Sequence, residues 1–378
     1  MLKSRGFWLG MGLTAILLGW FVFKNYHQFD DMKAAFEEAD WRLALLALPV
    51  YFLGLLVRTV RWQFLLRPVQ KVSTLRLYPV VIIGLMANNI LPARAGELAR
   101  AYVLGQRERI SKTTSLGTIA VDRLFDGVTL IPLMLITAAI AGDKAHFPVL
   151  GHDLNFAGLG IVMGVLFGVA LGILFYLALS DRGRRLLHSL VHRFAPAKLK
   201  PHVEGMLHSF FDGLHALRSP IDLGIAWVMS LVSWLLEATM YYIVARAFGI
   251  HLGFEVFILV TAAANLAIAI VATQGGIGAF ELVVSRTIIA FSVGAGTAAA
   301  HPTSAQASTY ALGLHALLLV PIVVIGLILM WSMDLSFSEM LSRSEPEAAP
   351  APVAAGETEA TPAVAMRTRP AVGGTGQE

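Results

Sequence analysis

Residues 87–100 read ANNILPARAGELAR and decide the architecture of this 378-residue chain. They end an apolar segment of about 15 residues, whereas a helix needs about 20 to cross a bilayer. Pro92 breaks that segment, and a second, amphipathic helix is predicted from about Gly96. Non-helical backbone at membrane depth is tolerated only inside protein or beside a wet cavity. The stretch therefore predicts a re-entrant helical hairpin over residues 77–112.

A second break reads ATQGGIGAFEL at residues 272–282. An apolar helix again runs into a glycine-rich turn, where Gly275, Gly276 and Gly278 let backbone or ligand approach closely. A short helix then opens with Glu281, which lies 184 residues after Glu97 of the first break. These features predict a second hairpin over residues 254–292, equivalent to the first.

The composition agrees with a membrane-embedded chain. Charged residues make up 14% of the sequence and hydrophobic residues 56%, whereas soluble domains carry about a quarter charged residues. These values exclude a disordered chain, a collagen-like fibre and an ordinary cytosolic enzyme. Cysteine is absent, which excludes disulfides, thiolate catalysis and cysteine-ligated metals. The net charge of +4 does not indicate a nucleic-acid partner, and none is expected.

The predicted fold is an all-α polytopic membrane protein of about six full spans plus two re-entrant hairpins. Each predicted copy has two spans, a hairpin and one further span, so an odd number of crossings makes the repeat inverted. Such repeats with paired broken helices are typical of transporters. The spans are predicted at residues 6–23, 41–66, 116–140, 154–180, 222–245 and 307–333.

Loop charges predict the orientation, because Lys and Arg near span ends remain cytoplasmic. The basic segment 181–220 is predicted to be cytoplasmic, either as a solvated loop, which we favour, or as an amphipathic helix on anionic lipid. Both termini are expected in the cytoplasm of a multi-pass protein of the inner or plasma membrane. The transmembrane domain is predicted at 1–333, with halves at about 6–140 and 154–333. Residues 334–378 are predicted to form a disordered tail rich in Pro, Ala and Glu.

Ionisable side chains inside spans are costly and need a partner or a purpose. Asp122 and Asp126 share a helix face, while Arg123 between them points toward a neighbouring helix. This cluster either lines a head-group cavity or forms an ion pair that holds its helix to the first hairpin. Glu237, in the middle of a span, is either a hydrogen-bonded staple or a relay for a proton or cation.

Arg94, Glu97 and Arg100 share one side of the helix after the first break. A helix start attracts anions, so Arg94 is expected to clamp a phosphate, and Glu97 either meets a cationic head group or caps its helix. No catalytic residue, metal ligand or cofactor is predicted. The predicted head-group site comprises Asn88, Asn89, Arg94, Glu97, Arg100, Asp122, Arg123, Asp126, Glu237, Gln274, Gly275, Gly276 and Glu281.

Three further features are interpreted as structural. Arg58, Arg61 and Arg67 end the second predicted span, where snorkelling of their head groups into water explains them. His315 is interpreted as a core residue. The glycines at 160, 164, 168 and 172 recur every four residues, and this spacing favours close helix packing.

Residues 88–97, 122–126 and 275–281 together resemble the flippase-like family, also described as the transmembrane region of lysylphosphatidylglycerol synthase. The resemblance covers about residues 5–335. Two positions depart from the family pattern: Asp122 stands where Glu is frequent, and Gln274 stands where Pro usually precedes the glycine pair. Charge is kept at the first position, and a looser turn is expected at the second.

The resemblance implies a membrane domain that moves a lipid or lipid-linked head group between leaflets. The soluble aminoacyl-transferase domain of fused relatives has no counterpart in this sequence, so synthase activity is not implied. Other relatives are connected with polyprenyl-lipid glycosylation or hopanoid pathways, so membership of the family does not identify the substrate. The expected partners are membrane lipids. The resemblance also allows a protein partner: a lipid-modifying enzyme, a glycosyltransferase or a second copy of the chain.

The leading hypothesis is a lipid translocase with its site between the repeats. An alternative is a membrane-embedded transferase acting on a lipid-linked donor, with Asp122, Asp126 or Glu237 as general base. A further alternative is a scaffold for a lipid-modifying enzyme that transports nothing itself.

Overall fold

The structure is a computed structural model that describes residues 5–91, 95–141, 146–149, 152–194, 200–214, 219–270, 273–292 and 302–336. Helices make up nearly all of these residues. In chain order they are α1 (Arg5–Asn25), α2 (Phe29–Glu37), α3 (Trp41–Leu46), α4 (Leu48–Leu66), α5 (Thr74–Ile90), α6 (Gly96–Glu108), α7 (Lys112–Ala141), α8 (Phe156–Leu179), α9 (Asp181–Phe194), α10 (Lys200–Gly213), α11 (Pro220–Ala247), α12 (Phe254–Ile270), α13 (Ala279–Ser292) and α14 (Ser304–Ser332).

The fold class is confirmed as an all-α polytopic membrane protein. Among the described residues, four helical stretches are long and apolar enough to cross a bilayer: Trp41–Leu66, Lys112–Ile140, Pro220–Ala247 and Ser304–Ser332. Shorter apolar stretches in α1 and α8 lie at Met11–Phe23 and Gly160–Ala170. A short antiparallel pair, β1 (His146–Val149) with β2 (His152–Asn155), connects α7 to α8 and was not predicted.

Both predicted breaks are positions where a helix ends. In the first hairpin, α5 ends at Ile90 and Leu91 has extended backbone. In the second, α12 ends at Ile270, and a 3-10 turn at Gln274–Gly276 precedes α13. Gly275 and Gly276 both have positive φ, at 62° and 78°, a conformation that glycine adopts without steric cost.

Side-chain caps fix the start of several helices. Asp40 accepts hydrogen bonds from the backbone N–H groups of Arg42 and Leu43 at the start of α3. Thr303 and Gln306 form a reciprocal capping box at the start of α14. These bonds satisfy donors that a helix start otherwise leaves unpaired.

The packing places the two hairpins next to each other. Helix α4 packs along α11 at the centre of the bundle. Helix α5 packs on α14, and α12 packs on α7, so the first helix of each hairpin lies against the last span of the other half. The largest fully buried side chains include Trp62, Tyr241, Phe257 and Tyr310.

The segment 181–220 is largely helical, whereas the favoured interpretation was a solvated loop. It contains α9 and α10, and α10 packs against α7. At this contact Gly117 and Gly213 bring the two backbones together, since a Cβ on Gly117 would lie 2.7 Å from the Phe210 carbonyl oxygen. The predicted tail at 334–378 lies almost entirely outside the described residues.

The glycine stripe of α8 packs only at one end. A Cβ on Gly160 would press on Leu135, and one on Gly164 would make an ordinary contact with Ile131 of α7. A Cβ on Gly168 or Gly172 would have no described atom within 4 Å. Close packing on α7 therefore explains the first half of the stripe, and for the second half it stays a prediction.

We expect Gly96→Ala to prevent α5 and α6 from packing against each other. A Cβ at this position would collide with the Gly84 carbonyl oxygen and with the Asn88 side chain. Overpacking of this kind costs about 1–3 kcal/mol or more. The measurement is the temperature at which the detergent-purified protein loses its monodisperse size-exclusion peak. Gly168→Ala, which has space around it, is the control and should keep the wild-type temperature; equal temperatures for both variants would contradict the packing.

Candidate functional site

Arg61 of α4 is the centre of a buried ion-pair network. Its side chain has 0% exposure. Its Nε donates to Asp122 Oδ1 at 2.9 Å, and its Nη1 donates to Asp126 Oδ1 at 2.8 Å. Nη1 also donates to the Ser230 hydroxyl of α11 at 2.8 Å. One guanidinium therefore joins α4, α7 and α11.

Arg100 brings the first hairpin into this network. Its Nη1 donates to Asp122 Oδ2 at 2.9 Å, so Asp122 is bound by an arginine on each oxygen. The Arg100 guanidinium also lies over the Trp62 ring, 3.6 Å from the centroid. An aromatic face favours a cation that has left water. Helix α6 is thus held to both α4 and α7.

Arg123 carries the network to the edge of a cavity. Its Nη1 donates to Asp126 Oδ2 at 3.0 Å, and its Nε lies 3.5 Å from Glu97 Oε1. Glu97 also accepts from Asn88 Nδ2 at 3.2 Å, while Asn88 Oδ1 accepts from the Gly96 N–H at 2.8 Å. Arg123 is 36% exposed, in contrast to the fully buried Arg61.

Glu237 of α11 is the centre of a second cluster. It accepts from Arg58 Nη2 of α4 at 3.2 Å and from Asn265 Nδ2 of α12 at 2.9 Å. The Tyr241 hydroxyl donates to it at 3.4 Å, and Arg58 lies 4.4 Å from the centroid of the Trp234 ring. Each buried charge therefore has an opposite charge or an amide beside it, as burial requires.

Glu281 and His315 form a third cluster, beside the glycine turn. His315 Nδ1 lies 2.6 Å from Glu281 Oε1, and its Nε2 lies 3.0 Å from the Gly275 carbonyl oxygen. The other carboxylate oxygen of Glu281 accepts from the Gly278 N–H at 2.7 Å. The His315 ring also stacks on Phe280, with ring centroids 4.5 Å apart. This cluster ties α13 and α14 to the turn.

A cavity of about 150 Å³ lies between these clusters. Its lining comes from both halves of the chain: α4, α5 and α7 from the first half, and α11, α12, the glycine turn, α13 and α14 from the second. The charged, amide and imidazole side chains that line it are Arg58, Asn88, Asn89, Arg123, Glu237, Asn265 and His315.

The tips of the two hairpins touch beside the cavity. Gln274 Nε2 donates to the Ile90 carbonyl oxygen at 2.6 Å, and the Gln274 N–H donates to Thr14 Oγ1 of α1 at 3.0 Å. Gln274 and Ile90 are 184 residues apart, the same separation as Glu281 and Glu97. The tips therefore meet at equivalent positions of the predicted repeat.

The sequence-predicted site residues fall into distinct places. Asn88, Asn89, Arg123, Glu237, Gly275 and Gly276 line the cavity. Gln274 forms the tip contact, and Glu97, Asp126 and Glu281 each bind a cavity-lining side chain. Arg100 and Asp122 lie in the buried network away from the cavity lining. Arg94 lies outside the described residues.

The snorkelling interpretation is wrong for Arg58 and Arg61, which are 7% and 0% exposed and bind acids inside the bundle. Arg67, with a side chain 55% exposed, agrees with it. The position of Arg61 argues against snorkelling, because Arg61 lies more than one helical turn before the end of α4 at Leu66. His315 is buried, as expected of a core residue, but both of its ring nitrogens have polar partners.

Taken together, the fold and the site define a class: polytopic helical membrane proteins with a charged cavity between two broken hairpins. Residues 7–326 match the family described as the lysylphosphatidylglycerol synthase TM region, and the chain belongs to this family. Among the described residues, no group of three or more His, Asp or Glu side chains is placed to hold a metal ion.

Several archaeal proteins are similar to the chain. Two UPF0104 membrane proteins of Methanothermobacter thermautotrophicus are 26% and 28% identical over 268 and 270 residues, which cover 68% and 66% of this chain and 75% and 76% of the relatives. The glycosyltransferase AglD of Haloferax volcanii is 26% identical over 304 residues, which cover 72% of this chain and 47% of AglD. No solved structure matches the chain.

We expect Arg61→Met to lower the free energy of unfolding by about 3–5 kcal/mol, because it leaves two buried carboxylates without their shared cation. The measurement is reversible unfolding in mixed micelles. Arg67→Met is the control, since its exposed pairing with Asp222 at 3.8 Å should contribute about 1 kcal/mol or less. Equal losses in the two variants would show that the network does not stabilise the bundle.

Proposed function

We propose that this protein is a translocase that moves a lipid with a phosphate-containing head group between the leaflets of the membrane. The observation that carries the proposal is a set of buried donors around the cavity. Within the described residues, Arg58 Nε, Trp234 Nε1 and Thr273 Oγ1 have no hydrogen-bond partner, and Arg123 Nε has only the ion-pair contact with Glu97 at 3.5 Å. All four belong to residues that line the cavity.

Unsatisfied buried donors favour a ligand rich in acceptors. Leaving a buried donor unpaired costs about 1–3 kcal/mol, and more for a charged group. A phosphate supplies several acceptor oxygens and pairs well with a guanidinium. Arg58 and Arg123 provide two cations at the cavity, and Glu237, which also lines it, is placed to meet a cationic group on the same head group. Glu97 contacts Arg123 but does not line the cavity. A cavity of about 150 Å³ suits a head group, with the acyl chains left in the bilayer.

We also propose that the two halves are an inverted repeat that exchanges access to the cavity. The matched packing of α5 on α14 and of α12 on α7 supports this symmetry. The equal 184-residue separations of Gln274 from Ile90 and of Glu281 from Glu97 support it as well. Transporters with this organisation bind substrate at the interface of the repeats. In this scheme the hairpin tips separate when the cavity opens.

We also propose that the protein lies in the cell membrane with both termini in the cytoplasm, and the Lys and Arg residues of the loops support this orientation. AglD is named a glycosyltransferase, but the matched region is under half of its length, so that activity is not assigned to this chain. A transferase would return a chemically altered lipid, whereas a translocase returns the lipid unchanged. A lipid-modifying partner enzyme and a homo-oligomer remain predictions.

The proposal predicts that Arg123→Gln slows transbilayer movement of tail-labelled phosphatidylglycerol by about 10–100-fold. This range corresponds to the loss of a charge-assisted hydrogen bond worth about 1.5–3 kcal/mol. The measurement is the rate at which inner-leaflet reporter in proteoliposomes becomes accessible to dithionite. Thin-layer chromatography of the extracted lipid shows whether it has been altered.

The matched control for Arg123→Gln is Arg76→Gln. Arg76 is 71% exposed and lies 3.6 Å from Glu108, away from the cavity lining, so its replacement should leave the rate unchanged. Wild-type rates in the Arg123 variant would contradict the site. Wild-type vesicles that equilibrate no faster than empty ones, with phosphatidylglycerol, phosphatidylcholine or polyprenyl phosphate reporters, would contradict the function.

Linking the hairpin tips should slow transport. The chain has no cysteine, so the double variant Asn89→Cys with Gln274→Cys carries the only two thiols. A short bis-maleimide should join them, because Asn89 precedes the Ile90 carbonyl that binds Gln274. We expect cross-linked protein to transport more slowly than either singly substituted, maleimide-treated protein, because both controls carry the same local change without the link. Full activity of the cross-linked protein would show that the tips need not separate.

A further inference from the structure

We infer that Glu281 and His315 form a binding site for a proton that moves together with the lipid. The inference rests on the proposed function and identifies the ion that energises it. Two observations carry it: the acceptors on both sides of the imidazole, and the position of His315 in the cavity lining.

The contacts of His315 determine how many protons the pair holds. The Gly275 carbonyl oxygen can only accept, so the bond at 3.0 Å requires a proton on His315 Nε2. The 2.6 Å contact between Nδ1 and Glu281 Oε1 requires another proton between those atoms, carried by either residue. The pair therefore holds one proton more than a neutral imidazole beside an ionised carboxylate.

Loss of that proton would break the arrangement. A lone pair on Nδ1 would then face a carboxylate, or a lone pair on Nε2 would face the Gly275 carbonyl. Gly275 belongs to the turn whose neighbour Gln274 binds the tip of the other hairpin. Proton occupancy of the pair is therefore linked to closure of the two hairpin tips.

The charges around the pair indicate which way proton and lipid are coupled. The titratable groups that face it across the cavity are Tyr51 and Arg58 of α4, Arg123 of α7, and Glu237 and Tyr241 of α11. The polar side chains that α5 and α12 contribute to the lining are the amides of Asn88, Asn89 and Asn265. Helix α2 packs on α14, and its charged residues are exposed: Asp30, Asp31, Lys33 and Glu37. On α13 itself, Arg286 lies five residues from Glu281 and does not line the cavity.

With its extra proton the pair is neutral, and without it the pair carries one negative charge. A negative pair would repel an anionic phosphate in the same cavity, which otherwise holds Arg58 and Arg123 opposite Glu237. The proton and the phosphate head group therefore favour each other's binding, and such coupling is reciprocal. The geometry points to cotransport of the two in the same direction.

The test is the final leaflet distribution of tail-labelled phosphatidylglycerol in phosphatidylcholine proteoliposomes under an imposed pH gradient at zero membrane potential. One proton per lipid is expected to concentrate the reporter about tenfold per pH unit in the leaflet facing the alkaline side. Reversing the gradient should reverse the distribution.

Glu281→Gln is the informative variant. Its amide oxygen can accept from the Gly278 N–H and its amide nitrogen can donate to His315 Nδ1, so the contacts remain while the exchangeable proton is lost. We expect this variant to distribute the reporter equally whatever the gradient. Glu255→Gln is the matched control, because Glu255 is an exposed acid in the same hairpin and should keep the wild-type tenfold ratio.

Failure of this inference differs from failure of the proposed function. A wild type that moves no reporter overturns both. A wild type that equilibrates the reporter to equal amounts, or concentrates it on the acidic side, leaves transport standing and overturns proton cotransport. A Glu281→Gln variant that still concentrates the reporter tenfold assigns the coupling proton to another group and overturns the site.

Discussion

The structure depends on the pairing of Arg61 with Asp122 and Asp126 inside an apolar bundle. A guanidinium without exposed surface is stable only when acids satisfy it, because desolvation of each ion costs several kcal/mol. That requirement fixes α7 against α4, and Arg100 fixes α6 against both. The positions of the first hairpin and of the central helices follow from this one network.

The same network contains fully buried charged side chains and one partly exposed cation, Arg123, at the cavity. Asp122 and Asp126 are one helical turn apart and face Arg61, so Arg123 between them faces the side of Glu97. One short segment of α7 thus provides both the structural ion pairs and the partly exposed cation of the cavity. The two readings of this cluster that the sequence allowed both describe part of it: Asp122 belongs to the structural one and Arg123 to the cavity.

Sequence reasoning located the parts of the fold that depend on local chemistry. Proline and glycine disfavour a continuing helix, and α5 and α12 end at Ile90 and Ile270, just before Pro92 and the glycines at 275 and 276, so both breaks were predictable. The partners of the charges were not predictable, because they depend on packing between distant helices. Arg58 and Glu237 are 179 residues apart, and His315 meets Glu281 only because α14 lies beside α13. Consequently Arg100 and Arg123 were predicted near the acids that they bind, while Arg58 and Arg61 were assigned to snorkelling and His315 to core packing.

The distances along the chain between these partners have a consequence for membrane insertion. Asp122 is 61 residues after Arg61 and Glu237 is 179 residues after Arg58. At about 5–20 residues per second, the ribosome needs about 3–12 s to reach the first partner and about 9–36 s to reach the second. During these intervals α4 carries two arginines without their acids. Helix α4 is therefore expected to stay beside the insertion machinery, or near the lipid–water boundary, until α7 and then α11 arrive to neutralise it.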